Sequence, residues 1–269
     1  MTRPTPLLAV QQLEKRFGSV RAVADVSFEI ERGEIVALVG ESGSGKSTVA
    51  RLLARLEAPT AGAIRIAGND VLASEPRGAS LTYRRRVQMI FQDPYASLNP
   101  AHTVGHHLER PLARHHRARH ADLAARVSQL LADVGLTPPE QLAKRRPHEL
   151  SGGQRQRVAI ARTLAVEPDL LIADEPTSML DVSLRVDVLD LLRKLRDERR
   201  LAILFITHDL ASARYFADRI LVMLRGAIVD GGPTEELLAR PSHPYTQLLL
   251  AAAPDVHRMR RAGDARGAS

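Results

Sequence analysis

Residues 40–48 read Gly-Glu-Ser-Gly-Ser-Gly-Lys-Ser-Thr, an unsubstituted G-x-x-x-x-G-K-[ST], the loop that binds nucleotide phosphates. The chemistry this spacing offers is the holding of a polyphosphate. Gly40, Gly43 and Gly45 let the backbone turn its N–H groups inward without Cβ clashes. A helix starting beyond them adds partial positive charge where phosphates sit. Lys46 has the reach for β- and γ-phosphates, and the Ser47 hydroxyl is placed to ligate Mg²⁺. Glu41, Ser42, Ser44 and Thr48 complete the nucleotide-contacting stretch.

Two acids end the apolar run Leu170-Leu171-Ile172-Ala173-Asp174-Glu175. Acids at the carboxyl end of a parallel strand face the ligand crevice of an open α/β sheet. Asp174 reads as the Mg²⁺ holder, directly or through water, and Glu175 as the group that orients and polarises an attacking water. His208 follows a second apolar run, Ala202–Thr207, at the same sheet edge, which favours a γ-phosphate contact over a purely structural role. Leu150-Ser151-Gly152-Gly153-Gln154 opens a helix through the capping box S-x-x-Q. Its free N–H groups are a second place for phosphate, although a well-capped helix also accounts for them. Phe17 lies in the basic stretch Lys15-Arg16-Phe17-Gly18, read as a loop. In a chain with 3% aromatic residues, it suits a stacking face for adenine and an ordinary core position equally.

These residues need elements to position them. The runs Ile35–Val39, Leu170–Ala173, Ala202–Ile206 and Ile220–Leu224 lack alternation, which suits strands covered on both faces in a mainly parallel sheet with flanking helices. Leu7–Gln12, Ala24–Ile30, Ala63–Ile66 and Val87–Phe91 are further strands, and residues 67–82 read as loop. From Tyr95 the composition turns helical, Arg-rich and His-rich without a βαβ rhythm, so residues 94–165 read as a helical insertion. Asp181 opens an amphipathic helix to about Arg200. Ile220–Leu224, Arg225-Gly226 and Ala227–Val229 form a hairpin. Short helices follow at Thr234–Ala239 and Pro244–Ala253, and the Arg-, Ala- and Gly-rich tail from Asp255 is expected to be disordered.

Composition narrows the function classes. The 269 residues suffice for one large domain or one domain with a subdomain. Cysteine is absent, which excludes disulfides, Cys zinc sites and thiol catalysis. No stretch has the apolar length of a membrane span, and Met1-Thr2-Arg3-Pro4 lacks the apolar run of a signal peptide. The expectation is a soluble cytoplasmic protein docked on a partner. The net charge of +7, from 38 basic and 31 acidic residues, suits a nucleotide, a nucleic acid or a membrane surface without choosing among them. His102, His106, His107, His115, His116 and His120 cluster in the insertion, but Arg114, Arg117 and Arg119 beside them would repel a cation. They read as a solvated surface rather than a metal site.

Together these stretches, over about residues 7–254, resemble an ABC-transporter ATP-binding subunit. The most specific feature is Leu150–Gln154, the ABC signature. The resemblance implies an ABC ATPase core of class α/β, with an antiparallel β subdomain and a helical insertion subdomain. It assigns Phe17 to adenine stacking, Gln92 to the loop sensing Mg²⁺ and the membrane partner, Asp174 and Glu175 to the Walker B acids, Met179-Leu180-Asp181 to the D-loop, and His208 to the switch histidine. In this family, Ser151, Gly152, Gly153, Gln154 and Asp181 contact ATP held by the opposite subunit. A narrower resemblance, to peptide/nickel importers, rests on Phe91–Pro100, Pro147–Leu150 and His243–Leu249. It implies a Mg²⁺-dependent ATP hydrolase at the cytoplasmic face of the cell membrane. The partners would be a second ATPase subunit, two permease subunits and an extracytoplasmic solute-binding protein, with no nucleic acid. A nucleic-acid-linked ABC ATPase, or an ATPase of another importer or exporter class, is the alternative. Three departures stand out: Phe17 where Tyr is common, Arg146 where an aromatic often precedes Pro147, and Met179 where Ala is usual.

Overall fold

In the computed structural model, residues 5–75, 78–93, 97–116 and 120–252 are described. Two sheets organise them. The larger has strand order β10-β9-β3-β8-β7-β6, built from β3 (Ile35–Val39), β6 (Val87–Ile90), β7 (Leu170–Asp174), β8 (Ala202–Thr207), β9 (Arg219–Leu224) and β10 (Ala227–Pro233). Its first five members in sequence order run parallel, and β10 returns antiparallel along β9. The smaller sheet is antiparallel, in the order β2-β1-β4-β5. It comprises β1 (Leu8–Phe17), β2 (Val20–Ile30), β4 (Ala61–Ile66) and β5 (Asn69–Asp70).

The unbroken apolar runs are strands whose alternate residues serve two separate cores. Ile35, Ala37 and Val39 of β3, with Leu171 and Ala173 of β7 and Ile203 and Phe205 of β8, join one cluster. The intervening Val36, Leu38, Leu170, Ile172, Leu204 and Ile206 join the other. The first cluster continues into the helices Val104–His116, His120–Asp133, Pro139–Lys144 and Gly152–Leu164 through Leu108, Leu131, Leu142 and Ile160. The second holds the helix Lys46–Leu53 and the antiparallel sheet. The helical segment is therefore welded to one face of the parallel sheet by shared apolar burial, the main favourable term in folding.

Several boundaries differ from the sequence reading. Gln12 is not the end of β1. It lies at φ +47° with a register shift between Val10 and Leu13, a bulge that breaks the inside–outside alternation while pairing continues. The strand runs on to Phe17, paired with Val20 across a two-residue turn, so Lys15–Phe17 are strand rather than loop. Residues 67–82 are not simply loop. Asp70 caps the helix Val71–Ser74 by accepting from the Leu72 and Ala73 amides, and Ser80 caps Leu81–Arg86 by accepting from the Tyr83 amide. Arg55 then pins the first of these helices, donating to the carbonyls of Val71 and Glu75 at 2.7 and 2.6 Å. His102 and His106 are half-buried and stacked, ring centroids 4.1 Å apart, rather than solvated. The His116 and His120 side chains, residues 117–119 and the tail from Asp255 lie outside the described residues.

At the centre of the first cluster Phe205 is fully buried, its ring edge-on to Phe216 at 5.1 Å between centroids. Phe205→Ala should lower unfolding free energy by about 3–5 kcal/mol, read from the midpoint of urea denaturation. A loss below about 1 kcal/mol would mean that the sheet does not depend on this packing.

Candidate functional site

Parallel strands share one carboxyl edge, and register decides what meets there. Val39 pairs with Thr207, Asp174 with Ile206 and Ile90 with Ala173. Residues just beyond these ends therefore converge: Gly40 after β3, His208 after β8, Glu175 after β7 and Gln92 after β6. Glu175 takes the left-handed conformation at φ +50°, and its backbone turns sharply into the bonds Ser178 N–H and Ser178 Oγ make to its carbonyl, at 3.2 and 3.0 Å. Such non-glycine conformations cluster where surrounding structure enforces them.

The loop from Gly40 wraps into the helix Lys46–Leu53. Gly45 sits at the cap with φ +107° and no side-chain cap, which leaves the first-turn amides open to an anion. A Cβ at Gly45 would lie 2.4 Å from the Ala22 carbonyl oxygen, and one at Gly40 would lie 2.2 Å from that of Met223. Two neighbouring backbones therefore press on the loop, and only glycine fits there.

Lys46 is 5% exposed. Its ammonium donates to the Gly40 and Glu41 carbonyls at 2.7 and 2.8 Å. Burial pulls its pKa below the ordinary lysine value, opposed by the charges of Glu175, Asp174 and Glu41. The Ser47 hydroxyl donates to Asp174 Oδ1 at 3.1 Å. Burial pushes the Asp174 carboxyl above its ordinary range, and Glu175 adds to the rise, while the Ser47 bond and the Lys46 charge oppose it. His208 Nδ1 lies 2.7 Å from Glu175 Oε1.

Lys46, Ser47 and Glu175 line a cavity of about 440 Å³ together with Ser42, Gly43, Gly45, Thr48 and Gln92, and Asp174 and His208 reach it through their bonds to Ser47 and Glu175. One ammonium, open helix amides and the Glu175 carboxylate meet in this cleft, with the Asp174 carboxylate bonded to Ser47 at its side. That arrangement can hold a polyphosphate and activate a water beside it. The hydroxyl of Ser47, the carboxylate of Asp174 and the amide of Gln92 offer oxygen donors, a set suited to Mg²⁺ rather than to softer metals.

Not every residue singled out in the sequence joins this cavity. Phe17, Gly40, Glu41, Ser44, Asp174 and His208 do not line it, nor do Ser151, Gly152, Gly153, Gln154 and Asp181. Ser151 Oγ accepts from Gln154 N–H at 3.2 Å, and Gln154 Oε1 accepts from Ser151 N–H at 3.0 Å, the reciprocal cap expected. Asp181 caps Val182–Arg199 by accepting from the Leu184 amide at 2.9 Å. Hydrogen bonds from the Leu184 amide and the Ser183 hydroxyl hold its carboxyl below the usual range. Phe17 is 48% exposed, with the Lys15 ammonium 4.7 Å from its ring centre. It is therefore not a core residue.

Sequence reading missed Arg21, Ala22, Arg225 and Gly226, all of which line the cavity. The β9–β10 turn reaches the phosphate loop because Gly226 N–H donates to the Ser44 carbonyl at 2.8 Å. The Arg-Gly turn signal marked the hairpin, but nothing local marked its destination.

The chain matches the family model "ABC transporter" over residues 23–178 and "Oligopeptide/dipeptide transporter, C-terminal region" over 229–268. It is 47% identical over 253 residues to the oligopeptide transport ATP-binding protein OppF of Bacillus subtilis, covering 92% of this chain and 82% of that protein. It is 46% identical to the di/tripeptide transport ATP-binding protein DppF of Pseudomonas aeruginosa, covering 91% and 75%. Among solved structures it is similar to cbiO1 from Clostridium perfringens, part of an ABC transporter complex, with a TM-score of 0.79, 28% identity and 95% and 99% coverage. It is also similar to the ATP-binding cassette MJ0796, solved as a dimer with ADP and Pi, with a TM-score of 0.73, 30% identity and 84% and 98% coverage. With the phosphate loop, the acids and the histidine at one sheet edge, these matches make the chain a member of the ABC transporter family, an ATP-binding ATPase subunit.

Proposed function

We propose that this ATPase drives uptake of oligopeptides or dipeptides through a membrane permease. The single observation that carries the catalytic reading is the convergence of Lys46, Ser47 and Glu175 on one cavity, with Asp174 bonded to Ser47 and His208 to Glu175. The peptide class is supported by the C-terminal region and by the names of the 46–47% identical relatives.

In this reading the loop 40–48 cradles the phosphates with its amides, and Phe17, displayed on the hairpin beside the cavity's Arg21 and Ala22, stacks on adenine. Lys46 turns from its two carbonyls to the β- and γ-phosphates. Mg²⁺, held by Ser47, Asp174 and Gln92, would neutralise phosphate charge when bound. Glu175 accepts a proton from water as the water oxygen bonds to the γ-phosphorus. The bond to the β–γ bridging oxygen breaks, leaving ADP and inorganic phosphate. His208 orients the Glu175 carboxylate and contacts the γ-phosphate.

Ser151, Gly153 and Asp181 lie off this cavity and serve the ATP of a second cassette, so two chains pair head to tail, as identical or homologous subunits. A groove of about 520 Å³ between β6 and the helical insertion, lined by Met89, Phe91, His107, Arg110 and Arg162, suits the permease. Among the described residues no helix is long and apolar enough to cross a membrane. The chain then sits peripherally on the cytoplasmic face of the cell membrane, beneath two permease subunits fed by an extracytoplasmic solute-binding protein. We place the ABC ATPase domain at residues 1–254, with the helical insertion at 94–165.

Glu175→Gln should keep ATP binding, lower turnover by at least about 100-fold and accumulate a closed pair on size exclusion. Wild-type turnover in this variant would remove Glu175 from the role of water activator. Phe17→Ala should weaken ATP binding about tenfold in equilibrium titration, and an unchanged affinity would end the stacking assignment. In proteoliposomes holding the whole assembly, ATP should drive peptide uptake, which Glu175→Gln abolishes. Uptake that is indifferent to ATP would overturn the transport reading.

A further inference from the structure

The C-terminal segment, far from the phosphate loop in sequence, lies beside it, and a hydrogen bond joins the two. The Tyr245 hydroxyl accepts the Glu41 amide N–H at 3.0 Å, across 204 residues of chain. The carbonyl of that same peptide unit, on Gly40, accepts from the Lys46 ammonium at 2.7 Å. One peptide at the entrance of the loop is thus held at both ends, by two side chains from opposite parts of the protein.

Tyr245 is itself held by a built elbow. Asp230 at the start of the segment accepts from the backbone N–H groups of Ser242 and His243 at 3.1 and 3.0 Å, and from the hydroxyls of Ser242 and Thr246 at 2.7 and 2.8 Å. Thr246 is fully buried, and Tyr245 is 9% exposed. Burial raises the Asp230 pKa, but these bonds outweigh it and hold the carboxyl below the usual range. The Tyr245 amide also donates to His243 Nδ1 at 3.1 Å.

We propose that Tyr245 is a positioning residue for ATP binding, tethering the Gly40–Glu41 peptide so that the phosphate loop keeps its shape when Lys46 turns from the Gly40 carbonyl to phosphate. The inference rests on reading the cavity as the ATP site. At that moment the peptide loses one of its two anchors, and the tyrosine hydroxyl is the other. The C-terminal region thereby acts on nucleotide affinity without touching nucleotide.

The test is ATPase kinetics of the full-length Tyr245→Phe variant, which keeps the ring and deletes the acceptor. KM for ATP should rise about two- to tenfold, the effect of one lost hydrogen bond, with kcat within about twofold and an unchanged melting temperature. Asp230→Asn should raise KM in the same way, and the double variant should be no worse than the worse single one, because both act through one contact. An unmoved KM in Tyr245→Phe overturns the proposal. So does a fall in kcat or melting temperature alone, which would assign the residue to packing. The wild-type chain separates the two failures: if it neither binds nor cleaves ATP, the function reading falls, whereas normal wild-type kinetics with an unmoved variant KM sink the inference alone.

Discussion

Backbone N–H and C=O groups buried on both sides of a sheet can be paired only sideways, by neighbouring strands. The five parallel strands of this protein meet that demand, and their side chains, apolar on both faces, fill two cores at once. Everything polar that the fold must display is then driven to the strand ends. Parallel direction puts those ends on one edge, so the phosphate loop, two acids, the histidine and Gln92 are gathered by sheet topology rather than by any attraction among them.

Part of that edge is buried, which gives the charges there their character. Lys46 and Asp174 are nearly fully buried, and each is shifted by burial toward its neutral form and pulled back by partners. A buried charge without partners would be costly, so the ammonium is wrapped by carbonyls and the carboxylate by the Ser47 hydroxyl. Groups held this way have fixed positions and need little rearrangement to meet phosphate, the condition under which electrostatic stabilisation is strongest.

Much of this was legible in the chain. The unbroken run Ile35–Val39 followed by a glycine-rich loop and a helix had one sensible reading, because period and motif agreed. Asp174 and Glu175 stood out as acids closing so apolar a run. Where the reading slipped, the cause was tertiary. Gln12 looked like a strand end because the bulge there reverses the alternation that marks strands. Residues 67–82 looked like loop because their short helices depend on caps at Asp70 and Ser80 and on Arg55 reaching across. Arg225 and Gly226 announced a turn but not that the turn would lie against the phosphate loop.

Local pattern thus determined the strands and helices of the parallel sheet, the family and the residue types available for chemistry, since motif spacing and hydrophobic period are properties of short stretches. Tertiary structure alone decided which distant groups touch. The pairing of Glu175 with His208, the exposure of Phe17 and the reach of Tyr245 to the Glu41 amide arise from strand register and from packing across many tens of residues. No local propensity encodes such contacts, because their energy exists only once the separate elements have been brought together.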